Sequence, residues 1–410
     1  MDASEASYVK CRPRVLVSTP TFLPIAGGAE LGIHEIFSRL STDFEVTILT
    51  RTVTAEESRL YADSRDRTVG AGYEVVRIKP FESKIRWRFV RKAISSLGLS
   101  YAFAITRQYV RRQPDVVVLE FVRPHGLAAL WIKYVLRVPV VLCLVGRTDV
   151  ASRMSPAMRA HYRLTLLGID LVIQNSEYYT ARSKVDFECL TIPYGVNMEV
   201  YGLGSPGANV SIATADARRR IRERHGLAPA CKVVLAVQRL DKLKRVDKVV
   251  EAFRLVNHNN RDIESALLIV GKGPEYTRIA KIIEASSADN VIMCGFVPDQ
   301  EIADYFLGSD VFASHSMNET FGVTFAEAMA AGLPIVAART SCIPWVLDTD
   351  FASIVEPFDI PAFASAVSEI LADEQLARRM GETARRSAIC YDWRSIAAEY
   401  SRALRKACHV

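Results

Sequence analysis

Residues 318–337 read NETFGVTFAEAMAAGLPIVA. Glu319 and Glu327 stand eight apart, with Phe321, Gly322, Val323 and Thr324 between them and a run of helix formers from Ala326 to Ala331. The pattern predicts a helix beginning near Gly322 and a buried strand over 334–337. Glu319 then lies in the loop before the helix, and Glu327 lies about a turn and a half inside it. First-turn amides have no intrahelical partner and the helix dipole adds partial positive charge, so this helix start attracts phosphate or another anion. A carboxylate on each side of that anion suits hydroxyls at both ends of a ligand, the layout of a nucleotide sugar. An ordinary loop, helix and strand with an acidic start fits the same spacing.

Working outward, strand-like runs alternate with helical ones along the whole chain. In the first half they fall at 15–19, 45–49, 73–78, 116–119, 140–144 and 171–174, and in the second at 232–237, 266–270, 291–294, 311–313 and 334–337. Such alternation implies mainly parallel sheets covered on both faces, with sites at the carboxyl ends of the strands. Between the halves, residues 192–216 are rich in glycine and small polar residues and read as a linker. Two doubly wound, Rossmann-like α/β domains facing an interdomain cleft follow, with the boundary at 200/201.

Three strand ends of the second half bear on the opening stretch. Arg239 and Lys244 follow one strand, Gly271 and Gly273 form a turn after the next, and Phe296 and Val297 follow a third. All of them open on the side of the sheet that carries Glu319. In the first half the corresponding ends hold the Gly27-Gly28 pair, Glu120 to His125, and Val145 to Asp149. The glycine pair lacks the G-x-G-x-x-G spacing, which disfavours a nicotinamide oxidoreductase.

Composition narrows the classes further. The 410 residues are 50% hydrophobic and 24% charged, enough for large cores. The eight cysteines are scattered singly, which argues for reduced thiols and a cytoplasmic protein and against a zinc site. No apolar run reaches the length of a spanning helix. The net charge of +6 suits an anionic substrate or surface, and with no recognised binding motif it does not point to nucleic acid. Residues 84–92 interleave Lys84, Arg86, Arg88, Arg91 and Lys92 with Trp87 and Phe89. Such a segment can lie on an anionic membrane surface, and a pair of amphipathic helices with solvated arginines is the alternative.

Taken together, Arg239-Leu240 with Lys244, VGKGPE, GFVPDQEIADYFLGSDVFASHS and the E-x7-E unit ETFGVTFAEAMAAGLPIVA resemble the donor domain of the family 4 retaining glycosyltransferases of the GT-B fold. The Gly27-Gly28 loop, PDVVVLE, VPVVLCLVG and IPYGVN extend the resemblance into the first half. It implies an acceptor-side domain over 1–200, a nucleotide-sugar domain over 201–390, and a final helix over 391–410 returning to the first domain. It also implies that Arg239, Lys244 and Glu319 are catalytic, with Arg239 and Lys244 on the donor diphosphate, Glu327 on the ribose and Glu319 on the transferred sugar. Gly27, Gly28, Gly271, Phe296, Val297, Thr320, Phe321, Gly322, Val323 and Thr324 would complete the donor site, with no metal and no further cofactor. Glu120, His125, Arg147 and Asp149 would stand on the acceptor side, His125 also reading as an ordinary loop histidine. The expected activity moves a hexose-type sugar to an alcohol, a lipid-linked or growing saccharide at the inner membrane face. A small soluble acceptor, a related epimerase or phosphorylase, and a non-catalytic sugar-nucleotide-binding subunit stay open.

The chain departs from the family pattern at several positions. Gln238 and Arg245 stand where glycines flank the family's Arg and Lys. Val118 and Glu120 replace its H-x-H, and Val145 replaces a further histidine. Thr340, Ser341, Cys342 and Trp345 replace its Gly-Gly and acidic residue.

Overall fold

The computed structural model describes residues 12–25, 27–55, 57, 68, 70–81, 87, 98–146, 149, 156–182, 189–203, 210–285 and 290–408. Two parallel sheets organise the chain. The first contains β1 (Arg14–Ser18), β2 (Glu45–Arg51), β3 (Glu74–Ile78), β4 (Val116–Glu120), β5 (Val140–Leu144), β6 (Leu171–Gln174) and β7 (Cys189–Thr191), in the order β3-β2-β1-β4-β5-β6-β7. The second contains β8 (Lys232–Val237), β9 (Ser265–Val270), β10 (Val291–Gly295), β11 (Val311–Ser314), β12 (Ile335–Ala338) and β13 (Ala352–Val355), in the order β10-β9-β8-β11-β12-β13.

Helices cover the strands and explain their composition. Every residue of β4 and β5 is buried, so VVVLE and VVLCL run almost without polar alternation, as strands covered on both faces do. In the first unit, α1 (Gly28–Leu40), α2 (Leu99–Arg112), α3 (Ala128–Trp131, continued by a π turn over Ile132–Leu136) and α4 (Pro156–Leu166) matter most here. In the second, α5 (Val246–Asn259) turns Val246, Val249, Val250, Phe253 and Val256 onto the core of β8 and β9, the spacing of one helical face. It is joined by α6 (Val323–Ala331), α7 (Ile343–Val346) and α8 (Glu374–Ala388).

By contact the chain divides into one unit of residues 1–192 and 396–410 and another of 193–395. The terminal helix α9 (Trp393–Cys408) packs Tyr400 against Phe37 of α1, ring centroids 6.5 Å apart. Residues 193–200, grouped with the first half by sequence, fall in the second unit: Val196 N donates to Tyr391 O at 2.7 Å, and Tyr194 lies against Trp393.

The strand orders locate the ligand-binding ends. In each sheet the order reverses beside the first strand of the unit, between β1 and β4 and between β8 and β11. Open α/β sheets bind ligands at such switch points. In the second unit that point is bounded by the loop after β8, with Arg239 and Lys244, and the loop after β11, with Glu319.

Candidate active site

The helix start predicted from sequence is present: α6 begins at Val323 with Gly322 as its N-cap. Gly322 has φ +83, and a Cβ there would meet the Phe325 ring at 2.5 Å, so glycine is required twice over. The N-cap glycine supplies no side-chain cap, and Phe325 N turns back to Gly322 O at 2.9 Å, so Val323 and Thr324 carry the first-turn amides that an anion would meet. Lys244 and Glu319 meet beside it as an ion pair through Nζ and Oε1, with side chains 20% and 11% exposed. One carboxylate oxygen of Asp241 shapes the cation loop, accepting from Leu243 N at 2.8 Å and Lys244 N at 3.2 Å. Its other oxygen takes Arg239 at 2.7 Å, and the Arg239 side chain is 71% exposed, turned to solvent rather than onto Lys244 and Glu319.

The glycine turn has a structural cause. A Cβ on Gly271, at φ +137, would lie 2.0 Å from Gln238 O, and one on Gly273 would lie 2.2 Å from Leu240 O. Both glycines therefore let the turn after β9 close onto the loop of Arg239, and Gly271 N is spent on Gly295 O at 2.7 Å. Phe296 is half-exposed beneath the Lys272 ammonium, 5.8 Å from its ring centre, while Val297 is buried. Two departures from the family pattern take up backbone conformations that favour glycine. Arg245 has φ +48 and Ser341 φ +48, left-handed values that cost a side chain about 1–2 kcal/mol. Arg245 recovers part of this through Asp247 at 3.1 Å and the Phe358 ring at 5.2 Å.

Glu327 projects from α6 to the buried Tyr201, whose hydroxyl donates to Oε1 at 3.4 Å. The residue keeps some accessible surface, yet its carboxyl group is enclosed, and burial pushes its pKa up to about 7. Tyr201 was not legible as a site residue: it lies in the segment read as a linker, on a 3-10 turn over Met198–Tyr201 capped by Asn197.

In the first unit Glu120, His125 and Asp149, expected on the acceptor side, are 2%, 0% and 1% exposed. His125 bridges Ser18 Oγ and Phe121 O, each at 2.9 Å, and burial lowers its pKa to about 4, so it is a neutral core histidine. Asp149 gathers Val122 N, Gly146 N and Val145 N at 3.1, 3.0 and 3.3 Å, tying together the ends of β4 and β5. Arg147 lies outside the described residues, as do Lys84, Arg86, Arg88, Arg91 and Lys92. Gly27 caps α1 with φ −141, which any residue adopts, and the Glu30 carboxylate lies over that helix start, accepting from Thr21 Oγ1 at 2.5 Å.

Burial raises the Glu120 pKa to about 8, aided by Asp149, whose own is raised to about 7. A folded-state acid raised above its unfolded value holds a proton that the unfolded chain has already released. Its stabilising contribution is therefore lost as pH rises from about 4.5 to about 8. Glu120→Gln should flatten the fall in Tm between those limits relative to wild type. Parallel Tm–pH curves would contradict the buried, protonated Glu120.

Comparison with known proteins agrees in both halves. Residues 217–387 match the family of glycosyl transferases group 1, and residues 27–184 match the glycosyl transferase 4-like domain. N-acetyl-alpha-D-glucosaminyl L-malate synthase of Bacillus anthracis is 25% identical over 68% of this chain and 70% of its own length. A GDP-mannose-dependent alpha-(1-6)-phosphatidylinositol monomannoside mannosyltransferase of Mycolicibacterium smegmatis is 32% identical over 46% of this chain, which spans about half of it, 51%. Among solved structures, sucrose-phosphate synthase of Thermosynechococcus elongatus superposes over 96% of this chain and 99% of its own with TM-score 0.75 at 21% identity. Anabaena HepE with UDP and glucose superposes over 96% of this chain and 100% of its own with TM-score 0.71 at 18% identity.

Proposed function

Because the chain belongs to the group 1 glycosyltransferases and takes the GT-B fold, we propose that it moves a hexose from a nucleoside-diphosphate sugar to a lipid-linked or growing saccharide, with retention at the anomeric carbon. The Lys244–Glu319 pair at the uncapped start of α6, on the switch point of the second sheet, carries this reading. Lys244 and the helix start face the charge that builds on the departing diphosphate, and Arg239 joins them by leaving Asp241. These groups do the work a divalent ion does in other transferases, and no further cofactor is invoked. Glu327 takes the ribose hydroxyls and Glu319 those of the sugar. The acceptor oxygen attacks from the face the diphosphate leaves, and a phosphate oxygen of the donor accepts its proton. A glycosyl-enzyme adduct trapped on a carboxylate would replace this route with double displacement.

The lipid acceptor is supported by the surface of the first unit and by the name of the mycobacterial relative. Among the described residues no helix is long and apolar enough to cross a membrane. One face is nevertheless strongly apolar: Leu99, Phe103 and Val110 on α2, Trp131, Tyr134 and Val135 after it, and Leu164 and Leu167 are 45–75% exposed. Trp131 Nε1 donates to Thr106 Oγ1 at 3.0 Å and Tyr134 OH to Leu167 O at 3.1 Å, which joins these segments into one patch. Exposed Arg107, Arg111, Arg137 and Arg163 rim it, a combination suited to an anionic bilayer at the cytoplasmic face. Phe103→Asp with Arg107→Glu should weaken cosedimentation with phosphatidylcholine–phosphatidylglycerol vesicles about tenfold or more. Unchanged sedimentation would favour the second reading, a small soluble acceptor, which the likeness to the malate synthase supports.

A further inference from the structure

The loop carrying Glu319 runs between β11 and α6, and one of its residues is held through both its amide and its carbonyl. Met317 N donates to Leu243 O at 2.8 Å, in the loop of Lys244, and Met317 O accepts from Ser341 Oγ at 3.3 Å. Neighbouring carbonyls are taken in the same way: Thr340 Oγ1 donates to Ser316 O at 2.5 Å and Cys342 Sγ to Phe321 O at 3.4 Å. Three consecutive side chains thus bind three carbonyls of the segment 316–321, and Thr340 and Cys342 are themselves buried. The glycines of the family pattern have no side chain with which to make such bonds.

We propose that Thr340, Ser341 and Cys342 are positioning residues, a clasp that fixes where the Glu319 carboxylate meets the transferred sugar. Rotation of three backbone carbonyls would displace Glu319 relative to Lys244, and small misplacements of a binding group carry large rate penalties. The proposal rests on the assignment of Glu319 to the sugar.

Ser341→Gly is the sharpest test, because glycine suits φ +48 while removing the hydroxyl. Its Tm should equal or exceed wild type. Amide hydrogen exchange over 316–322 should nevertheless quicken, and kcat/KM should fall about three- to tenfold. Turnover is measured with whichever of UDP-glucose, UDP-N-acetylglucosamine and GDP-mannose the wild type uses. Thr340→Val should lose about tenfold, with Thr340→Ser restoring activity. Wild-type kcat/KM in Ser341→Gly and Thr340→Val, with exchange altered or not, overturns the clasp. If Glu319→Ala retains full activity, the underlying assignment fails instead; if it is inactive while the clasp variants are normal, the clasp alone fails.

Discussion

Lys244→Ala should lower kcat about 100- to 1,000-fold, the loss typical of one preorganised donor facing a developing anion. Among the described residues, the two arginines nearest it in sequence do not replace it. Arg239 is turned to solvent on Asp241, and Arg245 is committed to Asp247. The substitution also strands Glu319, whose side chain is 11% exposed, and an unpaired carboxylate in that setting costs stability. The double variant Lys244→Ala with Glu319→Gln separates the two effects: it should regain Tm but not turnover. Turnover within about threefold of wild type in Lys244→Ala, a change of well under 1 kcal/mol in the barrier, would remove Lys244 from the reaction.

Glu327→Gln should raise the Kd for the donor about 10- to 100-fold, as expected when hydrogen bonds from hydroxyls to a charged acceptor become bonds to a neutral one. The pH dependence carries the sharper signature. Burial raises this carboxyl to about 7, so at pH 6 most of the unliganded protein holds it protonated. Ribose hydroxyls favour the ionised acceptor, and binding therefore expels the proton. Wild-type affinity should strengthen as pH rises from 6 to 8, while Glu327→Gln should bind with no such trend. The stability of the unliganded chain moves the other way, since a raised carboxyl loses its folded-state advantage as pH climbs from about 4.5 to about 7. A pH-independent wild-type affinity would show that Glu327 does not touch the donor.

What the sequence made legible was whatever is local. Strand ends and helix starts were readable because β-branched runs, glycines and the helix formers of α6 act over a few residues. β7 and β13 were not: the former is a three-residue edge strand only half buried, and the latter is a four-residue strand beyond an irregular segment. Long-range pairing was equally hidden. Tyr201 and Glu327 are 126 positions apart, and nothing near either residue announces the other. Polar residues at strand ends are ambiguous in the first unit, because Glu120, His125 and Asp149 look like an acceptor site by type. In the fold all three side chains turn inward: His125 and Asp149 bond the backbone of their loops, while the buried Glu120 leaves Oε2 without a hydrogen-bond partner. The glycine turn at 271–273 illustrates a related confusion. Glycines that permit close approach of a ligand and glycines that permit close approach of another backbone carry the same signature, and here Gln238 and Leu240 supply the backbone.

In the proposed site the second unit grips a nucleotide sugar between Lys244, Glu319, the start of α6 and Glu327. Melting the purified chain and its Lys244→Ala variant with UDP-glucose, UDP-N-acetylglucosamine and GDP-mannose tests this grip. A ligand that binds only the folded state raises Tm. At least one of the three should raise the Tm of the wild type and leave that of Lys244→Ala unmoved; no shift with any of them, or the same shift in both proteins, would contradict the claim.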